Sequence, residues 1–433
     1  MAAPDFPALL RVFARIGCLS FGGPAGQVAL MHKELVEERA WVEEGQFLRA
    51  LNFCHLLPGP EAQQLAIYIG WKLHGLRGGL AAGMLFVLPG AAVILALSIL
   101  YVFAATLPWF GALFLGVKAA VLALVVQALL RIARRALKTD FQRGLSFASF
   151  VALFAFDLPF PLVVLGAGAI GIVVAGRSPG LLPLKPVVPA PTAGARLGRA
   201  TLRIMLAWGL IWAAPMALIA LTLGPDHVLF RIGAFFSKLA VVTFGGAYAV
   251  LAYMAQQAVT SYHWLSAGEM ADGLGLAETT PGPLVMVTQF VGFLASYRAP
   301  APFAPLVAGI LGAALTTWVT FAPCFLFVLA LAPWIERLEH ARRLQGGLAA
   351  LTAAVVGVIA NLALWFALHL LFARMTDVRL AGMALHLPDL ASFDVRAALL
   401  AILAAVLLFR LKLGVVPVLA ISAGCAMAAQ VAA

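Results

Sequence analysis

The chain has 433 residues, of which 63% are hydrophobic and only 11% charged, with a net charge of +11. Soluble domains carry about 25% charged residues, so this composition excludes a water-soluble globular protein. It also argues against a nucleic-acid binder, because the basic residues fall in short loops between apolar runs, the distribution that the positive-inside bias produces.

The first ten residues hold Asp5 and two prolines, and Arg11 and Arg15 follow without a small-residue cleavage site, so no cleaved signal is read there. Gly22-Gly23-Pro24 then interrupts the first apolar stretch. Residues 33–44, with Glu34, Glu37, Glu38, Arg39 and Glu43, read as a solvated loop in which Lys33 or Arg39 would serve an access gate only as a minor option. Trp41 reads as an interfacial anchor. A second apolar stretch, 47–71, is broken at Leu57-Pro58-Gly59-Pro60. Residues 80–103 and 113–130 follow as spans, the latter carrying Lys118 and Gln127. Residues 131–143 form a basic loop, and 145–175 allow two short spans turning at Asp157-Leu158-Pro159.

Residues 177–204, basic and rich in Pro and Gly, are expected to link two halves, 1–176 and 224–433, with one odd helix at 205–223. In the second half, 306–331, 347–372 and 397–409 are nearly uncharged. The expectation is an all-α polytopic membrane protein of about thirteen transmembrane helices, six in each half plus the odd one, each needing roughly 20 apolar residues. The basic loops at 131–143 and 177–203 belong in the cytoplasm. Counting outward from them puts the N-terminus in the cytoplasm and the C-terminus in the periplasm. Cys18, Cys54, Cys324 and Cys425 show no paired spacing, so neither a disulfide framework nor a metal site is expected.

The halves share a motif set. Ser20-Phe21-Gly22-Gly23, Trp41 and Pro58-Gly59-Pro60 recur 223 positions later as Thr243-Phe244-Gly245-Gly246, Trp264 and Pro281-Gly282-Pro283. Pro89 and Ala119-Ala120-Val121 recur 234 positions later as Pro323 and Ala353-Ala354-Val355, the added residues falling within the proline-rich stretch 298–308. Basic-loop counting makes the span with Pro323 run opposite to the span with Pro89. The two repeats are therefore expected to be inverted in topology, with broken helices at the midplane, the sequence form of a secondary transporter.

Proline removes a backbone donor and glycine permits left-handed backbone, so each motif should break a helix where protein or a water-filled cavity satisfies the freed groups. A helix restarting after Pro60 or Pro283 would aim free N–H groups into that cavity and attract anions. Polar residues gather beside the breaks: Asn52, His55, Glu61, Gln63 and Gln64 in the first half, and Glu278, Thr279, Thr280, Thr288 and Gln289 in the second. The expected substrate site therefore comprises Gly22, Gly23, Pro58, Gly59, Pro60, Gln63, Gln64, Gly245, Gly246, Thr279, Thr280, Pro281, Gly282, Pro283 and Gln289. Lys118 joins it unless it snorkels to the interface. His55, Glu61 and Glu278 are the candidates for proton coupling, the alternative being mutual structural pairing. Many donors with few fixed charges suit an oxyanion better than a sugar or a metal.

The runs Phe21-Gly22-Gly23-Pro24, Trp41 and Leu57-Pro58-Gly59-Pro60-Glu61-Ala62-Gln63-Gln64-Leu65-Ala66, with Tyr68-Ile69-Gly70, resemble the N-terminal half of the chromate ion transporter family. Thr243-Phe244-Gly245-Gly246-Ala247-Tyr248, Trp264, Glu269-Met270 and Gly273 through Pro283 resemble its C-terminal half. The match is to the long form of the family, in which two halves are fused. His263 stands before Trp264 where a small residue is expected. The resemblance implies a transporter, not an enzyme, that exports chromate from the cytoplasm across the bacterial inner membrane and confers chromate resistance. It also implies sulfate as a competitor, and it implies no cofactor.

The lipid bilayer is the expected partner, and a homodimer stays open. An importer of sulfate-like ions or an anion channel of the same architecture is the alternative. A membrane-embedded enzyme is disfavoured, since the chain has no His pair at helical spacing, no Cys pair and few carboxylates within its spans.

Overall fold

A computed structural model describes residues 4–21, 23–104, 107–184, 195–242, 247–335, 341–380 and 383–431. The first helix, α1 (Phe6–Leu19), begins where the Asp5 carboxylate accepts the Ala8 N–H at 2.8 Å, and Pro7 occupies the first turn, where a missing N–H costs nothing. It is followed by α2 (Gly23–His32), α3 (Glu44–Cys54), α4 (Glu61–Ala104), α5 (Pro108–Ala136), α6 (Asp140–Phe154), α7 (Phe160–Arg177), α8 (Ala195–Thr222) and α9 (Val228–Val242). Then come α10 (Ala247–Gln256), α11 (Ala267–Thr279), α12 (Val287–Arg298), α13 (Pro305–Leu331) and α14 (Arg342–Leu371). A hairpin of β1 (Met375–Leu380) and β2 (Met383–Pro388) precedes α15 (Val395–Ala405) and α16 (Val415–Val431).

Among the described residues six helices are long and apolar enough to cross a membrane, which makes this a helical multi-pass membrane protein. Several of the others are short: α2 and α10 have 10 residues, α3 has 11 and α11 has 13. At 1.5 Å per residue none of these covers a core roughly 30 Å thick. They are the pieces into which the motifs cut the chain. Conversely, α4 has 44 residues, about 66 Å if straight, and is too long for one span. It folds back at His74 and Gly75, whose φ of +60° leaves the helical region. The two arms meet so closely that a Cβ on Gly78 would lie 2.1 Å from the Gly70 carbonyl oxygen. The linker expected at 177–204 is helical from Ala195, so α8 starts ten residues before the expected odd helix at 205; Arg, Leu and Ala there are good helix formers. The expected turn at 157–159 separates α6 from α7, with Asp157 at φ +48°.

The duplication extends to backbone geometry. Gly59 and Gly282 have φ of +113° and +98°. Ala40 and His263, again 223 apart, both sit at +50°. The Trp41 and Trp264 N–H groups each close a wide turn, onto Leu35 O and Ala258 O, at 2.8 Å. Each turn follows a π-helical segment, Lys33–Glu38 or Gln257–Ser261. His263 thus fills a left-handed position, where His is enriched among non-glycine residues, and this accommodates its departure from the small residue expected there.

The chain forms two compact units, and each draws segments from both sequence halves. The first comprises residues 1–99, 186–250 and 280–341. In it α13 packs on α8, α9 and α12, with Trp208 stacked on Phe325 at 5.5 Å. The outer face of α8 exposes Leu206, Leu210, Leu218 and Leu221, the apolar surface expected against lipid tails. The second unit comprises 100–185, 251–279 and 342–433, and α14 is its central helix, packed on α5, α6 and α7.

In the first unit Pro89 lies inside α4 and its missing N–H leaves the Leu85 carbonyl without its helical donor. Gly17 of α1 rests against that carbonyl, and a Cβ there would fall 2.1 Å from the oxygen. Gly17→Ala is expected to destabilise the protein by about 1–3 kcal/mol or more, because backbone cannot yield as a side chain does. Gly111→Ala, where a Cβ meets nothing within 4 Å, serves as the control, and thermal unfolding in detergent compares the two.

Candidate functional site

The first break is built from local chemistry. Pro58 and Pro60 cannot continue α3, and Gly59 adopts a φ that an L side chain strains to reach. The Gln64 amide donates to the Pro58 carbonyl at 2.6 Å, and the Gln64 N–H reaches Pro60 O at 3.1 Å, so α4 restarts at once. His55 Nε2 and Glu61 Oε2 stand 3.3 Å apart across the break. Glu61 is the first residue of α4, so the positive end of that helix already carries a carboxylate. The second break differs here. Pro281-Gly282-Pro283 leads through a short 3-10 turn into α12, which has no acid in its first turn. Of the two restarts, the second is the better suited to an anion.

The two breaks and the two helical prolines meet crosswise within the first unit. Gly90, beside Pro89, packs on the second break: a Cβ at Gly90 would lie 2.5 Å from Pro281 O and 3.2 Å from Gly282 Cα. Cys324, beside Pro323 and 234 positions after Gly90, packs on the first break, with its sulfur 3.1 Å from where a Gly59 Cβ would sit. The glutamines cross in the same sense. Gln63 Nε2 points to Phe321 O of α13 at 3.5 Å, and Gln289 Nε2 donates to Ala91 O of α4 at 2.8 Å. Gln289 Oε1 in turn accepts from Thr317 at 2.9 Å. The second break is also tied to the end of α1. Gly282 N–H donates to Ser20 O at 2.9 Å, and Gln27 Nε2 of α2 donates to Gly282 O at 2.5 Å.

These groups are buried, and several lack partners among the described residues: the hydroxyls of Thr288 and Thr320 and the amide oxygens of Gln63 and Gln64. Gly59, Pro60, Val285 and Thr320 line a cavity of only about 10 Å³. That is about the space one water needs. A tetrahedral anion with four oxygens enters only if the breaks move apart.

Among the residues expected from the sequence, Gly23, Pro58, Gly59, Pro60, Gln63, Gln64, Thr280, Pro281, Gly282, Pro283 and Gln289 belong to this unit, as do His55 and Glu61. Gly22, Gly245 and Gly246 lie outside the described residues. Thr279, Glu278 and Lys118 belong to the second unit. There the Thr279 hydroxyl donates to Leu276 O at 2.8 Å, and Glu278 is buried at the end of α11. Lys118 Nζ lies 3.1 Å from Asp272 Oδ1, and Tyr101 donates to Asp272 Oδ2 at 2.8 Å. Asp272 and Tyr101 escaped the sequence reading, as did Gln27. An acid in the glycine-rich run before Pro281, between Glu269 and Glu278, was the available signal. The 33–44 segment is also less solvated than expected. Glu34 is buried and paired with Arg39 and, at 3.4 Å, with Arg15, while Lys33 pairs with Glu38 at 3.6 Å.

Comparison with known proteins gives one family. The chain matches the family described as Chromate transporter over residues 7–172 and 230–429. It is 34% identical over 364 residues to a chromate transport protein of Pseudomonas aeruginosa, covering 82% of this chain and 79% of that protein. It is 29% identical over 358 residues to a chromate transport protein of Cupriavidus metallidurans, covering 81% and 80%. An uncharacterised transporter of Methanocaldococcus jannaschii is 28% identical over 369 residues, covering 84% and 85%. No solved structure matches the chain.

The Lys118–Asp272 pair is nearly buried, and removing one partner strands the other. Lys118→Met is expected to cost about 3–5 kcal/mol, while Lys118→Met with Asp272→Asn, which removes both charges, costs less. Denaturation of the single and double variants measures the difference, and an equally large loss in both would show that the ion pair is not the cause.

Proposed function

The chain belongs to the chromate transporter family, and we propose that it carries chromate, a tetrahedral dianion, from the cytoplasm to the periplasm across the bacterial inner membrane, conferring chromate resistance. The carrying observation is the reciprocal packing of each break on the other half's proline-kinked helix. Two equivalent elements that lock each other can also release each other, and this is what alternating access about a shared site requires. The reading takes the two halves, 1–176 and 224–433, as inverted repeats of about six spans each, joined by the segment 177–204 and the odd helix, which the structure extends to Ala195–Thr222.

The substrate is framed by the Gly22-Gly23 and Gly245-Gly246 motifs and the Pro-Gly-Pro restarts. The hydroxyls of Thr280, Thr288 and Thr320 supply donors, and parting of the breaks frees the amide N–H groups of Gln63, Gln64 and Gln289 from the Phe321, Pro58 and Ala91 carbonyls that hold them in this state. The narrow cavity at Gly59 and Thr320 corresponds to a closed state. An inside-negative potential favours exit of a dianion by about 2.3 kcal/mol per charge per 100 mV, so export needs no coupled ion. Proton coupling, if superimposed, falls to Glu278 or to His55 and Glu61, which stand 3.3 Å apart. A Glu278→Gln variant that keeps the full pH dependence of transport removes Glu278 from that role.

Inverted membrane vesicles test the proposal. Energised vesicles holding the protein are expected to accumulate chromate, with sulfate competing and a protonophore lowering the plateau. Gly282→Ala, which forces a Cβ onto a φ of +98°, is expected to cut the rate on the order of tenfold. Uptake no greater than in vesicles lacking the protein would refute export. Flux that neither saturates nor responds to chromate on the far side would favour a channel.

A further inference from the structure

The hairpin of α3 and the first arm of α4 has the Pro58-Gly59-Pro60 break at its tip, and Phe53 packs on Tyr68 between the arms at 5.8 Å. Lys72 lies eleven residues beyond Glu61, so the open end of the hairpin is about 16 Å from the break. A cavity of about 170 Å³ opens there, lined by Gln46 and Arg49 of α3, by Tyr68 and Lys72 of α4, and by Ile335. The cavity at the first break, about 10 Å³ on the same scale, admits a single water; at about 170 Å³ this one has room for the four oxygens of a tetrahedral anion with some hydration.

Arg49 and Lys72 both face this cavity, are exposed, and make no ion pair among the described residues. Acids stand near in sequence, yet most are engaged elsewhere. Glu34 is held by Arg15 and Arg39, Glu38 by Lys33, and Glu37 and Glu44 by His32, leaving Glu43 alone in that run without a cation. The charge pattern is not duplicated. At the 223-residue spacing Arg49 aligns with Asp272 and Lys72 with Ala295, and Asp272 is already paired with Lys118. The two cations that line this cavity thus have no counterpart at the aligned positions of the second half.

We propose that the Arg49–Lys72 pocket is a collecting site for tetrahedral oxyanions, distinct from the breaks and feeding them. The guanidinium fork of Arg49 takes two anion oxygens and the Lys72 ammonium a third, with the Gln46 amide as a further donor. This rests on the oxyanion-carrier reading: counting back from the cytoplasmic 131–143 loop over the spans 113–130 and 80–103 puts the 72–77 segment in the cytoplasm, where an exported ion must enter. Two cations there raise the local anion concentration and so lower KM without touching the translocation step. A lipid phosphate offers the same chemistry, and the experiment separates the two sources.

Wild type and Arg49→Gln/Lys72→Gln are reconstituted in phosphatidylcholine alone and in phosphatidylcholine with phosphatidylglycerol, and initial chromate rates are measured against concentration. The expected result in phosphatidylcholine alone is a KM on the order of tenfold higher in the double variant, with kcat unchanged. Arg49→Lys is expected to recover part of the loss. An unchanged KM overturns the proposal, and so does a difference seen only when phosphatidylglycerol is present, which assigns the pocket to a headgroup. Equilibrium dialysis of the detergent-solubilised proteins against labelled chromate reads the pocket apart from transport: weaker binding in the double variant supports it and equal binding overturns it. A wild type that binds chromate through this pocket but moves none refutes the carrier reading alone.

Discussion

Everything in the first unit depends on how a membrane-embedded chain satisfies backbone that is not helical. Each Pro-Gly-Pro break and each helical proline exposes polar backbone groups that lipid cannot satisfy, so the groups must meet protein. The structure meets this demand by contact between the halves. Pro281-Gly282 lies on Gly90, Gly59 lies near Cys324, and the amides of Gln27 and Gln289 reach carbonyls of the opposite half. Close approach is possible because the helical contact residues are small. The resulting site is dense and polar, and it holds little space. In the proposed carrier, density and polarity together make it a lock, since opening it frees donors that are now bound to backbone carbonyls.

Charge is distributed around this lock with care. Glu61 occupies the positive end of α4, and His55 stands beside it. The α12 restart has no such acid. Lys118, read from the sequence as a candidate cation for the substrate, stands 3.1 Å from the Asp272 carboxylate, whose other oxygen accepts from Tyr101, within the second unit. Intramembrane charges are costly when alone, and this pair removes the cost. Arg49 and Lys72, which make no ion pair among the described residues, sit exposed at the open end of the first hairpin.

The sequence made the breaks legible because they are marked twice: a Pro-Gly-Pro at 58 is ambiguous, but its copy at 281 at the same spacing as two other motifs is not. Helix positions followed from apolar runs, as at α5, α13 and α14. The pairings were hidden for a physical reason. Lys118 and Asp272 are 154 positions apart, as are many unrelated pairs, and no local periodicity links Gln27 to Gly282. The hinge at His74-Gly75 falls in the gap that the sequence reading left between 47–71 and 80–103, where Lys72, His74 and Arg77 interrupt the apolar pattern. The β1–β2 hairpin was missed because its short strands lie between a span and a helix and carry no hairpin turn signature of the Asn-Gly type.

The most direct measurement uses Cys324, which is buried against the first break. With Cys18, Cys54 and Cys425 replaced by serine, the rate at which a water-soluble maleimide labels Cys324 reports separation of the breaks. The account predicts slow labelling at rest and a clear change in rate when chromate is added to a transport-competent protein. Chromate transport at the full rate, with Cys324 inert to the reagent whether or not chromate is present, would contradict it.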